Sequence, residues 1–159
     1  MLFRSFKTIN EESLVWKNWK RDQVTVLLKR LVKKARSLHP GIQVSATGCM
    51  PYSRAYHEAF QDWSSWIKNG VVDFVTVMSY PPDIAEFKKY LLEIKEKAPD
   101  VKKVNIGIGA YKLLKSPDIF KNQFVLCEEY GARACVSLHY GSFLENPALV
   151  DPLIDSKKL

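Results

Sequence analysis

Apolar residues gather in four short runs along the chain, Ile42–Thr47, Phe74–Tyr80, Val104–Tyr111 and Ala134–Tyr140, spaced at intervals of about 30 residues. Between them the period changes to apolar positions three and four apart. From about Trp16 to Leu38, Val24, Leu27, Leu28, Leu31, Val32 and Ala35 mark a helix. His39-Pro40-Gly41 ends it, because proline disfavours helical geometry in the residue before it and glycine accepts positive φ. Ala59 to Lys68 predicts a second helix with Phe60, Trp63, Trp66 and Ile67 on one face, closed by Asn69-Gly70. Asp83 and Glu86 have the spacing of a capping box for a third helix, to about Lys97. Ser116-Pro117 opens a fourth, with Ile119, Phe120, Phe124 and Cys127 inward and Gly131 as its stop.

The run Val71–Tyr80 is almost continuously apolar, as in a strand buried on both faces. Gly107 and Gly109 alternate along the third run, so one side of that strand leaves room for something bulky. Residues 1–13 read as a loop and residues 145–159 as a C-terminal helix or tail, with Asn146-Pro147 opening a short helix. Strands alternating with helices at this period predict an α/β fold of parallel βα units. Four such units are half of a (β/α)8 TIM barrel, and half a barrel leaves two unpaired edges. The expectation is a single partial barrel domain over residues 1–159. Either a missing N-terminal half-barrel or a second copy, as a homodimer, would cover its edges.

Composition changes this picture little. The 159 residues are 47% apolar and 26% charged, ordinary for a globular domain. No run approaches the roughly 20 apolar residues of a membrane span. Met1 to Lys7 lacks the apolar core of a secretion signal, so none is expected there. The net charge is +7, but the lysines and arginines are spread over helix faces and no nucleic-acid-binding motif accompanies them, so no nucleic acid is expected as a partner. The cysteines Cys49, Cys127 and Cys135 lack metal-site spacing. Cys127 and Cys135 read as small buried hydrophobes, and Cys49 follows a strand end where it could be exposed. No metal and no cofactor are expected.

In parallel barrels the chemistry lies at the carboxyl ends of the strands. That rule selects Thr47 and Tyr52 after the first run, Ser79 and Tyr80 after the second, Tyr111 and Lys112 after the third, and His139, Tyr140 and Ser142 after the fourth. A rim of aromatic rings and hydroxyls suits a carbohydrate, whose C–H faces stack on rings while its hydroxyls bond to polar tips. Tyr52, Tyr80, Tyr111, His139 and Tyr140 are the expected substrate-binding residues. Candidates for proton transfer are His139, because histidine exchanges a proton near neutrality, and Glu58 and Asp83, as the carboxylates nearest the strand ends. Asp83 also has the helix-cap reading. Two strand-end carboxylates, the usual requirement of glycoside hydrolysis, are not found.

Specific strings add a resemblance. Gln61-Asp62-Trp63-Ser64-Ser65-Trp66-Ile67-Lys68-Asn69-Gly70, with Asp73 and Met78-Ser79-Tyr80 following, resembles the QDWxxWLxxGxxDxVxPMxY signature of glycosyl-hydrolase-like family 10, bacterial glycoside-hydrolase-like TIM-barrel domains. Trp19 to Val24, His39 to Ala46, Gly107 to Tyr111, Gly131-Ala132 and Tyr140 are similar to further parts of that pattern. Val77 stands where proline is common, and Cys135 to Tyr140 lacks the family's Gly and Phe. The resemblance implies barrel units five to eight, a poly- or oligosaccharide substrate and an extracellular or cell-envelope location. It also implies an acidic motif on a strand upstream of this chain, so the chain alone is expected to supply a binding rim without the main carboxylate.

Overall fold

The computed structural model describes residues 10–151 and 154. Four strands, β1 (Ser45–Cys49), β2 (Phe74–Ser79), β3 (Val104–Gly109) and β4 (Ala134–Leu138), form one parallel sheet in the order β1-β2-β3-β4. The helices are α1 (Leu14–Leu38), α2 (Tyr52–His57), α3 (Trp63–Lys68), α4 (Ile84–Lys97), α5 (Pro117–Tyr130) and α6 (Tyr140–Glu145). Sequential strands neighbour one another with helices between, as βα units require. This α/β arrangement is compatible with part of a TIM-barrel-like domain. No described helix is long and apolar enough to cross a membrane.

The two faces of the sheet differ. Val75, Val77, Val104, Ile106 and Ile108 are fully buried under the helices. The alternate positions Phe74, Thr76 and Met78 are only half-buried, and Thr47 is exposed. Asn105 Nδ2 donates to Thr76 Oγ1 at 3.2 Å on this second, open face. β1 and β4 are three strand spacings apart, about 14 Å, a gap that two long side chains bridge. Arg133, just ahead of β4, donates to Gln43 Oε1 at 3.0 Å, and its guanidinium lies 4.0 Å from the centre of the Phe74 ring.

The helical layer is fixed by the Gln61-Asp62-Trp63 segment. Asp62 caps α3, accepting from Ser65 N at 3.1 Å. Trp63, fully buried, lies so close over Gly48 that a Cβ there would be 2.3 Å from its Cδ1. Gln61 Oε1 accepts from Cys49 N at 3.1 Å. Trp66 Nε1 donates to Thr25 Oγ1 at 2.9 Å and ties α3 to α1. Arg21 of α1 is buried, donates to Tyr56 O at 2.9 Å and stacks 3.6 Å from the Tyr56 ring.

Several expectations need correction. The helix expected over Ala59–Lys68 begins only at Trp63, because Phe60 has φ of 55°, which no α-helix passes through, and Asp62 begins α3 as its cap; a separate helix, α2, precedes it. Cys127 and Cys135 are not free hydrophobes but form a disulfide joining α5 to β4. Cys49 is buried rather than exposed. Strand edges also moved: β1 starts at Ser45 because Ile42 N bonds back to His39 O in the turn after α1. β3 and β4 stop at Gly109 and Leu138, so Tyr111 and Tyr140 belong to the turn and helix that follow. The helix expected from Asn146-Pro147 is a single 3-10 turn, Pro147–Leu149. The loop expected over residues 1–13 is a turn from 10 to 13, and residues 1–9 lie outside the described residues, as do 152, 153 and 155–159 of the tail.

At the amino ends of the strands, Asp73 accepts from Val44 N at 2.7 Å and from Arg36 Nη2 at 2.9 Å. The Val44 bond first, then Arg36, holds its carboxyl below the usual range. A depressed carboxylate contributes stability above its unfolded pKa and loses it as pH falls through the folded value. Asp73→Asn is therefore expected to cost about 1 kcal/mol at neutral pH and nothing at low pH, well below about pH 4; urea midpoints across pH check this. Gly48→Ala is expected to cost about 1–3 kcal/mol through overpacking against Trp63, read as a lowered urea midpoint with an unchanged slope.

Candidate functional site

A cleft of about 390 Å³ opens at the carboxyl ends of β1, β2 and β3. Its floor comes from Cys49 and Met50 after β1 and from Met78 of β2, its aromatic walls from Tyr80, Tyr90 and Tyr111, and its charged groups are Arg54 and Lys112. The rule that βα loops carry the chemistry of parallel barrels thus points to the end of the sheet that carries this cleft.

Tyr80 sets its shape. Placed one residue beyond β2, its side chain lies down along β3, with a Cβ on Gly109 meeting Tyr80 Cβ at 3.0 Å and one on Gly107 meeting Cε1 at 3.4 Å. The alternate glycines exist to admit this ring. Its hydroxyl is buried without a partner among the described residues, and burial raises its pKa, with a smaller push from Tyr111. Tyr111 meets Tyr80 edge-on at 5.9 Å and 84°, and His139 stacks on the far side of Tyr111 at 6.1 Å and 12°. Three of the expected rim residues therefore form one aromatic row. Lys112 Nζ donates to Tyr80 O at 3.2 Å and bridges the ends of β2 and β3.

The other expected site residues lie elsewhere. Tyr52 is not part of the cleft lining: its hydroxyl donates to Asp62 Oδ1 at 2.6 Å, its ring sits edge-on to Trp63 at 5.0 Å, and burial, then Asp62, raises its pKa strongly. Tyr140 is exposed at the start of α6, away from the row. Asp83 accepts from Glu86 N at 2.8 Å as the cap of α4. Glu58 is exposed and 3.9 Å from Arg54 Nε. Ser79 and Ser142 are fully buried, Ser79 on the helix side of the sheet.

Among the charged and aromatic residues of the lining, two escaped the reading of the sequence. Arg54 lies in the first turns after β1, where the strand-end rule could have found it. Tyr90 comes from the middle of α4 and carried no signal, since a tyrosine at helical spacing reads as core. Its hydroxyl donates to Glu86 Oε1 at 2.7 Å, and burial together with Glu86 pushes its pKa up to about 12. Chemically, the cleft offers ring faces for stacking and cationic donors, but among the described residues no carboxylate stands on its lining. No group of three His, Cys, Asp or Glu among the described residues is arranged to hold a metal ion.

No curated protein and no solved structure matches this chain significantly. The profile of the family described as glycosyl hydrolase-like 10 matches residues 5–125, which include β1, β2, β3 and every residue lining the cleft. The chain belongs to the glycosyl hydrolase-like 10 family.

Proposed function

We propose that this chain is the C-terminal half, units five to eight, of a carbohydrate-active TIM barrel of glycoside-hydrolase type, and that it contributes the sugar-binding rim. The observation that carries the reading is the cleft, whose Tyr80 and Tyr111 walls, with His139 stacked on Tyr111 outside the lining, give ring faces at the strand ends of a member of this family. The apolar side chains exposed beside both sheet margins support the half-barrel: Leu27 and Leu31 of α1 at one margin, Tyr140 and Leu144 of α6 at the other. A closed barrel would bury both. The disulfide supports an extracellular or envelope setting, since such bonds persist where the compartment is oxidising.

A second reading, a carbohydrate-binding barrel that does not hydrolyse, is favoured by the absence of a carboxylate on the cleft lining. His139 stays the rim group able to move a proton in either reading. Glu58 and Asp83, the two candidate carboxylates, already serve their own helix ends. A third reading, closure by a second copy, is favoured by the same exposed margins. Light scattering separates it, because a monomer at micromolar concentration contradicts it.

The chain is expected to bind oligosaccharides and to hydrolyse none by itself. Tyr111→Ala should weaken binding by about tenfold, the order of one ring-stacking contact, as read by titration calorimetry against a panel of neutral and acidic oligosaccharides. If no member of the panel binds, the proposal fails. If the isolated chain turns one over, the upstream-carboxylate part fails.

A further inference from the structure

The charged groups of the cleft limit what kind of sugar it holds. Arg54, in α2 after β1, and Lys112, in the 3-10 turn after β3, flank the floor formed at the end of β2. β1 and β3 are two strand spacings apart, about 10 Å, a gap that two long side chains can span from opposite sides. Neither cation is consumed by the fold. Lys112 spends one of its three donors on Tyr80 O, and Arg54's ion pair with Glu58 is long and solvent-exposed on both sides, so it is weak and easily exchanged.

The carboxylates near the wall are otherwise occupied. Glu86 accepts from the Tyr90 hydroxyl and Glu93 accepts from Tyr52 N at 3.2 Å, and neither stands on the lining. A neutral sugar would offer these two solvent-exposed cations hydroxyls alone. A sugar with an anionic group would meet them with charge-assisted hydrogen bonds, about twice as strong as neutral ones.

The geometry points to an anionic saccharide as the ligand of this cleft, its carboxylate or sulfate substituent held by Arg54 and Lys112 while a ring face lies on the Tyr80–Tyr111 wall. This rests on the sugar-binding reading above and names the ligand class within it.

The test is calorimetry on the full chain with three length-matched probes: a neutral cello-oligosaccharide, an oligogalacturonate and a sulfated oligosaccharide. At least one anionic probe is expected to bind about tenfold tighter than the neutral one, and the two anionic arms distinguish carboxylate from sulfate. Arg54→Gln and Lys112→Gln should each remove most of that advantage, so that the anionic and neutral probes bind the variant about equally. Lys121→Gln, an exposed lysine on α5, should change neither. Circular dichroism confirms that each variant folds. Equal or tighter binding of the neutral probe overturns the anionic assignment while leaving sugar binding intact. A loss with Lys121→Gln as large as with Arg54→Gln also overturns it, because the preference then belongs to overall charge. If none of the three probes binds, sugar binding itself fails, and this inference with it.

Discussion

The indole of Trp63 resting on Gly48 is the contact on which the rest of the structure depends. There is no space at position 48 for even a methyl group, so β1 and α3 approach to the limit of their backbones. That approach fixes where Asp62 and Gln61 stand, and through them Tyr52 and the amide of Cys49. The β1–α2 connection is therefore held from two sides, by a side-chain carbonyl on its backbone and by a carboxylate on its tyrosine. Arg54 and the floor of the cleft ride on that connection. A string that looks like a functional signature is, atom by atom, a device for placing one loop.

The division of labour among carboxylates follows from this. Asp62, Asp73, Asp83, Glu86 and Glu93 each accept a hydrogen bond from backbone or tyrosine, and each thereby closes a helix, a strand start or a loop. Within the described residues the acids build the scaffold and the aromatic and cationic groups face the cleft. A glycosidase needs the reverse at its reacting bond.

Much of the fold was legible in the sequence because periodicity reports burial directly. The four apolar runs gave four parallel strands in chain order, and Gly107 and Gly109 did announce a bulky neighbour, which is Tyr80. Periodicity misled where local backbone chemistry overrode it: the apolar spacing from Phe60 to Ile67 is helical, but the positive φ at Phe60 breaks the run. The disulfide was invisible because Cys127 and Cys135 have no diagnostic spacing; only the packing of α5 on β4 brings them together. The site was half legible. Strand-end logic found the Tyr80–Tyr111–His139 row, yet it could not tell that Tyr52 turns to Asp62 or that Tyr90 reaches the cleft from a helix interior.

The posture of Tyr80 has a consequence for selectivity. Because the side chain lies along β3 with its hydroxyl buried, the cleft sees the flat of the ring and not its phenol. A ring face responds to the patch of C–H groups a sugar presents, and the configuration of each hydroxyl decides whether a C–H or an O–H points to that face. In the sugar-binding reading this wall would therefore favour epimers whose C–H groups gather on one side. Directional donors set around it would refine that choice, so exchanging the surrounding side chains would retune the same aromatic platform.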